Sequence, residues 1–237
     1  MRGDREDHMG MKFLVVAAAM AAAAGPALAQ TTSYRLRVLA TDNIYGAGST
    51  SAPGGGTVPA GVIDLPAGAE CVTVNKVTGS FVAPDCESTE GCITVNKNEP
   101  TNYNDPDGNY AQVKKSSNSG TGQVSGITAP GAGYLVGLFT QGTPSGTAPA
   151  ALDFTTGTKT KFLSLSPLID QTFFVGDGRK KDGSGPHQTF VVPAGATALY
   201  FGISDACGYA GGPSCYFDNY GHYEVKATVS TAACTAP

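Results

Sequence analysis

Gly221-His222-Tyr223-Glu224-Val225-Lys226-Ala227-Thr228-Val229 reads with a period of two. Tyr223, Val225, Ala227 and Val229 share one face, and His222, Glu224, Lys226 and Thr228 take the other. Successive side chains of extended backbone point to opposite sides, so this alternation marks a half-buried β-strand. Working outward, similar short segments recur at Thr197–Ile203, Gln188–Val192, Gln171–Val175, Tyr134–Thr140, Glu70–Val77 and Tyr34–Ala40. Pro-Ala-Gly punctuates three strand approaches, at Pro59, Pro66 and Pro193, and no stretch holds a 3.6-residue period. Regularly spaced strands with such turns predict an all-β fold, a jelly-roll β-sandwich.

Composition agrees. The 237 residues include 32 Gly and 15 Pro, no Trp, and only 14% charged residues. Gly and Pro interrupt nearly every stretch long enough for a helical bundle or coiled coil. Glycine has no three-residue period, which excludes collagen. The low charge argues against charge-driven disorder. Three Gly/Ser-rich tracts, Gly46–Gly56, Ser116–Gly126 and Gln141–Ala150, read as loops, none long enough to divide domains.

Residues 1–29 read as a leader. Lys12 gives a positive start, Phe13–Ala24 is an apolar run, and Ala27-Leu28-Ala29 is a small-residue cleavage site. The run is too short for a membrane span and has the flanks of a secretory signal. Residues 30–237 are then expected to form a single domain, secreted or periplasmic, with no membrane span. The leader holds Arg2, Arg5 and Lys12 against Asp4, Glu6 and Asp7, so the net charge of −4 is unchanged by its removal. No basic field remains to attract nucleic acid. An oligomer is compatible with the sequence.

Six cysteines remain: Cys71, Cys86, Cys92, Cys207, Cys215 and Cys234. An even count in an exported chain predicts disulfides. The economical pairing is Cys86–Cys92, Cys207–Cys215 and Cys71–Cys234, one of about 15 that six cysteines allow.

Signals for catalysis fail. Past the leader only His187 and His222 remain, and both read as surface histidines. There is no G-x-S-x-G elbow, no H-E-x-x-H and no phosphate-binding loop. A carboxylate-pair glycosidase has no informative spacing in its favour. Two oxygen-rich loops stand out instead. One is Asn102-Tyr103-Asn104-Asp105-Pro106-Asp107-Gly108-Asn109, which departs from an EF-hand and also fits an Asx-rich turn. The other sets Asp205, at the end of one strand, against Asp218 and Asn219, just before the next. Calcium takes six to eight oxygens, mixing carboxylates, amide oxygens and backbone carbonyls. Adjacent strand ends can deliver these to one point. Asp218-Asn219 followed by Gly221 is equally an ordinary turn signal.

Leu199-Tyr200-Phe201-Gly202-Ile203-Ser204-Asp205, followed by Asp218-Asn219-Tyr220-Gly221-His222-Tyr223-Glu224-Val225, resembles the closing segment of the PA-I galactophilic lectin family. Those lectins are calcium-dependent, galactose-binding jelly-roll sandwiches of the galactose-binding domain-like type. Upstream, Leu36-Arg37-Val38-Leu39-Ala40, Leu65-Pro66-Ala67-Gly68 with Cys71-Val72-Thr73-Val74, Asp105-Pro106-Asp107-Gly108, and Gly133-Tyr134-Leu135-Val136-Gly137-Leu138-Phe139 fall in the family's order. The resemblance implies that Asp205, Asp218 and Asn219 bind calcium through side chains. It implies backbone carbonyls near Cys215 and at Phe81 or Val82 as further ligands. Asp105, Asp107 and Tyr220 become sugar contacts, and the partner a galactose-type glycan. The chain departs from the family in lacking the His and Gln contacts of galactose-binding members. Ten residues, including two cysteines, intervene between Asp205 and Tyr216. The expected function is thus a non-enzymatic, calcium-dependent carbohydrate-binding module. The alternative is an exported structural or adhesive sandwich without sugar binding.

Overall fold

The computed structural model describes residues 29–82, 105–108, 113–156, 160–181 and 184–235. The leader and Cys86 and Cys92 lie outside these residues. In chain order the strands are β1 (Thr31–Leu39), β2 (Val62–Asp64), β3 (Cys71–Val82), β4 (Ser116–Gly120) and β5 (Ser125–Ala129). There follow β6 (Leu135–Thr140), β7 (Leu152–Asp153), β8 (Ser164–Leu165), β9 (Phe173–Phe174) and β10 (Arg179–Lys181). The last are β11 (Ser184–His187), β12 (Thr189–Val191), β13 (Ala198–Ile203), β14 (Ala210–Gly211) and β15 (Tyr220–Ser230). The described residues contain no α-helix, and the fold is all-β.

Two sheets hold the main core between them. One runs β1-β15-β3-β12-β8 and the other β2-β13-β6-β9. The period-two alternation of β15 places Tyr223, Val225, Ala227 and Val229 inward, none more than 1% exposed. Facing them, β13 buries Leu199, Phe201 and Ile203. Phe173 of one sheet meets Phe190 of the other with ring centroids 4.9 Å apart, so the aromatic layer spans the sandwich. A third sheet, β14-β4-β5-β7, flanks these two.

Ser116–Gly126 does not form a loop. It supplies β4 and the start of β5, which pair antiparallel from Ser116↔Ala129 to Gly120↔Ser125. Conversely, Gln171–Val175 contributes only the two-residue β9. The other sequence-expected strands fall where alternation places them, within a few residues at their ends.

Two disulfides are present among the described residues, Cys71–Cys234 and Cys207–Cys215. No helix is long and apolar enough to cross a membrane. At one end of the sandwich two Pro-Ala-Gly turns face each other, linked through Leu65 N–H to the Thr197 carbonyl and Val192 N–H to the Glu70 carbonyl, each 2.9 Å. Between them lies a cavity of about 550 Å³ lined largely by small residues. The end of β13 and the start of β15 meet at the opposite end, which holds the buried carboxylates.

Candidate functional site

Asp205 follows β13 by two residues. Asp218 ends a short 3₁₀ turn, Tyr216–Asp218, and Asn219 leads from it into β15. All three side chains are withdrawn from solvent, at 8%, 3% and 3% exposure. Asn219 Nδ2 donates to Asp205 Oδ2 at 2.9 Å and to the Ala40 carbonyl at 3.2 Å. Both neighbours are acceptors, so the amide nitrogen must face them. Asn219 Oδ1 therefore points away from them, and it is buried without a hydrogen-bond donor among the described residues. A buried amide oxygen left so costs about 1–3 kcal/mol unless something else satisfies it.

The surroundings fix Asp205 through its backbone. The Tyr216 hydroxyl accepts from Asp205 N–H at 3.0 Å and donates to the Ile203 carbonyl at 3.2 Å. Burial holds that phenol well above its usual pKa, so it stays neutral and available as a donor. Asn118 Nδ2, on β4, donates to the Asp205 carbonyl at 2.6 Å, and Ser214 N–H reaches the same carbonyl at 3.2 Å. Asp205 Oδ1 accepts from Ala206 N–H at 2.8 Å.

The long loop between Asp205 and Tyr216 is held at three places. Cys207 and Cys215 are bridged, Cys207 N–H donates to Ser214 Oγ at 3.0 Å, and β14 pairs in parallel with β4. Cys215 takes a left-handed backbone at φ 65°, a conformation that turns the chain sharply before Tyr216. Val82 and Phe81 lie opposite Tyr220 and Gly221 in the β3–β15 register. The end of β3 is thus one pairing step from Asn219.

Asp105 and Asp107 occupy a tight turn. Asp107 N–H donates to Asp105 Oδ1 at 2.9 Å, while Asp107 Oδ1 accepts from Asp177 N–H at 2.9 Å. Asp107 is 9% exposed and fastens the turn at Gly176–Asp177, whereas Asp105 is exposed. The turn backs onto Ala132 through Gly108, at φ +92°, where a Cβ would come within 2.8 Å of the Ala132 carbonyl. Ala132 and Tyr134 in turn line, with Ser116, Asn118, Ser204 and Asp205, a pocket of about 10 Å³. That is room for about one water molecule. The Pro-Asp-Gly turn and the Asp205 cluster therefore share one end of the fold. Tyr220 is 38% exposed at its margin.

Sequence reasoning missed Asp42 and Asn43. Asp42 is 1% exposed and accepts from Leu39 N–H at 2.8 Å and Thr57 Oγ1 at 2.9 Å. Desolvation raises its pKa, partly offset by those hydrogen bonds. Asn43 Nδ2 donates to the carbonyls of Pro53 and Gly55 at 2.7 and 2.9 Å, closing the 43–57 loop. Thr41-Asp42-Asn43 directly after a strand is an Asx-turn signal that could have pointed there. This loop buttresses the loop between Asp205 and Tyr216, because Gly54, at φ +71°, packs directly on the Pro213 carbonyl. Gly54→Ala adds a Cβ where that carbonyl stands and a side chain to left-handed backbone, itself worth about 1–2 kcal/mol. The variant is expected to unfold at lower denaturant by at least that amount; an unchanged midpoint in urea would show that the two loops do not bear on each other.

Among the described residues no group of three or more His, Cys, Asp or Glu side chains converges. Asp205 and Asn219 meet through one buried hydrogen bond, and Asp218, next to Asn219 in sequence, is also buried. The chain matches no family model, no curated protein and no solved structure.

Proposed function

We propose that this chain is an exported, calcium-dependent carbohydrate-binding module of the PA-I galactophilic lectin type, recognising a terminal galactose-type sugar. The observation that carries this reading is the buried contact of Asn219 with Asp205 at 2.9 Å, next in sequence to the buried Asp218, with Asn219 Oδ1 left without a hydrogen-bond donor among the described residues. The donor chemistry fits a hard cation: two carboxylates, an amide oxygen, and the carbonyls near Cys215 and Val82. A bound calcium ion would supply a positive centre for vicinal sugar hydroxyls. Asp205 and Asp218 hold opposing charge and acceptor oxygens at the site. Tyr216 and Asn118 keep Asp205 in place, and the Cys207–Cys215 bridge fixes the loop beside it. No bond is made or broken in this function. The two disulfides suit an oxidising compartment.

On a glycan array the protein is expected to bind galactose-terminated glycans in calcium and to release them in a chelator. Calcium binding with no glycan bound would instead favour a structural or adhesive sandwich.

A further inference from the structure

Arg35, Lys226 and Lys76 are far apart in the chain, yet the fold sets them in one row across three strands. Arg35 stands opposite Lys226 in the β1–β15 register, and Lys226 stands opposite Lys76 in the β15–β3 register. Directly paired residues share one face of a sheet. Here it is the outer face, because the alternate residues Val225 and Ala227 point into the core and all three cations are exposed. Neighbouring strands lie about 4.8 Å apart, so the row crosses about 10 Å of backbone. Among the described residues none of the three forms an ion pair. Glu224, the carboxylate of the next row, instead lies 3.9 Å from Arg37 Nε and 3.6 Å from His222 Nε2. Like charges placed directly opposite one another destabilise a sheet. The fold therefore gives no reason for this row, whereas a ligand of opposite charge does.

We infer that the outer face of β1, β15 and β3 binds an acidic polysaccharide, an extended chain whose carboxylates or sulfates recur along its length and meet Arg35, Lys226 and Lys76 in turn. This site is independent of the calcium and galactose reading. Evenly spaced cations on a flat face complement anions repeated along a slender chain. The flanking rows carry hydroxyls suited to those of sugars: Ser33, Thr228 and Thr73 on one side, and Thr78 on the other. These rows contain no aromatic residue, and so lack the stacking platforms on which single-stranded nucleic acid is held. A membrane is a poorer match. Anionic lipid is drawn by clusters of about four to eight Lys and Arg, and the net charge of −4 opposes approach to a broad anionic surface. A slender chain avoids that repulsion, because charge acts over only about 8 Å in physiological salt.

The test is calorimetric titration with heparin, polygalacturonate and neutral dextran, run in chelator so that the calcium reading and this one fail separately. Wild type is expected to bind heparin or polygalacturonate but not dextran. Its affinity should fall with salt at a log–log slope of about 2, as three cations on a single-stranded polyanion give. Lys76→Gln/Lys226→Gln is expected to bind roughly two- to twentyfold more weakly, the loss of two exposed charge contacts. It should melt no lower than wild type, because opposed like charges are removed. Lys115→Gln/Lys161→Gln makes the same change in net charge on none of these strands, and should bind as wild type does. Wild type binding neither acidic polysaccharide overturns the proposal. So does equal weakening in the two double variants, or a Lys76/Lys226 variant that binds as wild type does or melts well below it. Tighter binding to single-stranded DNA or to anionic phospholipid vesicles than to either polysaccharide overturns the choice of partner.

Discussion

Saturating calcium is expected to raise the melting temperature of the wild-type protein by about 5–10 °C, and Asp218→Asn is expected to abolish the rise. A ligand that binds only the folded state, present at about one hundred times its Kd, stabilises by about 2.7 kcal/mol. In a chain of this size each kcal/mol is worth about 2–4 °C. Asp218 is 3% exposed and adjoins Asn219, whose Oδ1 has no donor among the described residues. The amide replacement keeps the shape and one oxygen but removes the charge that a divalent cation needs. The comparison requires thermal melts of both proteins with calcium and with chelator. Equal calcium-induced shifts in both, or no shift in wild type, would remove the ion site from this turn. Magnesium makes a useful contrast, because it demands tighter octahedral geometry and sheds water reluctantly. It should give a smaller shift at the same concentration.

The strands that carry the core were readable because their apolar residues alternate. In β15 the inward set is Tyr223, Val225, Ala227 and Val229, and each is buried. The β4–β5 hairpin was unreadable for the opposite reason. Its inward residues include Ser116, Asn118 and Ser125, at 7%, 5% and 2% exposure. They are satisfied by distant partners: Ser116 Oγ donates to the Tyr134 hydroxyl, Asn118 Nδ2 to the Asp205 carbonyl, and Ser125 Oγ accepts from Thr172 N–H. Polar residues buried through long-range hydrogen bonds look, in sequence, like a Gly/Ser loop. The site divides the same way. Asp205 and Asn219 stand at the ends of two strands readable in the sequence, β13 and β15, which lie in facing sheets, and their side chains do meet at 2.9 Å. That the Ala40 carbonyl and the Asp42-Asn43 turn lie beneath them depends on the far end of β1, some 180 residues earlier, and no local signal carries it.

Replacing Cys71 and Cys234 together by Ala is expected to be the most destabilising change outside the core, yet to leave calcium affinity in place. The bridge spans 163 residues, and closing a loop of that length in the unfolded chain is worth about 5 kcal/mol on the chain-entropy account. It also pins the end of β15, where Ser230 pairs with Cys71, at the opposite end of the sandwich from Asp205. The Cys207–Cys215 bridge spans only 8 residues, for which the same account gives about 2.5 kcal/mol. Its removal frees the backbone at Cys215, beside Tyr216 and Asp218, so it should weaken calcium binding although it costs less stability. The two pairs thus separate stability from ligand binding. Urea unfolding in chelator reads the first quantity, and calcium titration of each folded variant reads the second. A Cys71/Cys234 variant within about 1 kcal/mol of wild type would contradict the expected stabilisation. A Cys207/Cys215 variant that binds calcium as wild type does would show that this loop contributes no ligand to the ion.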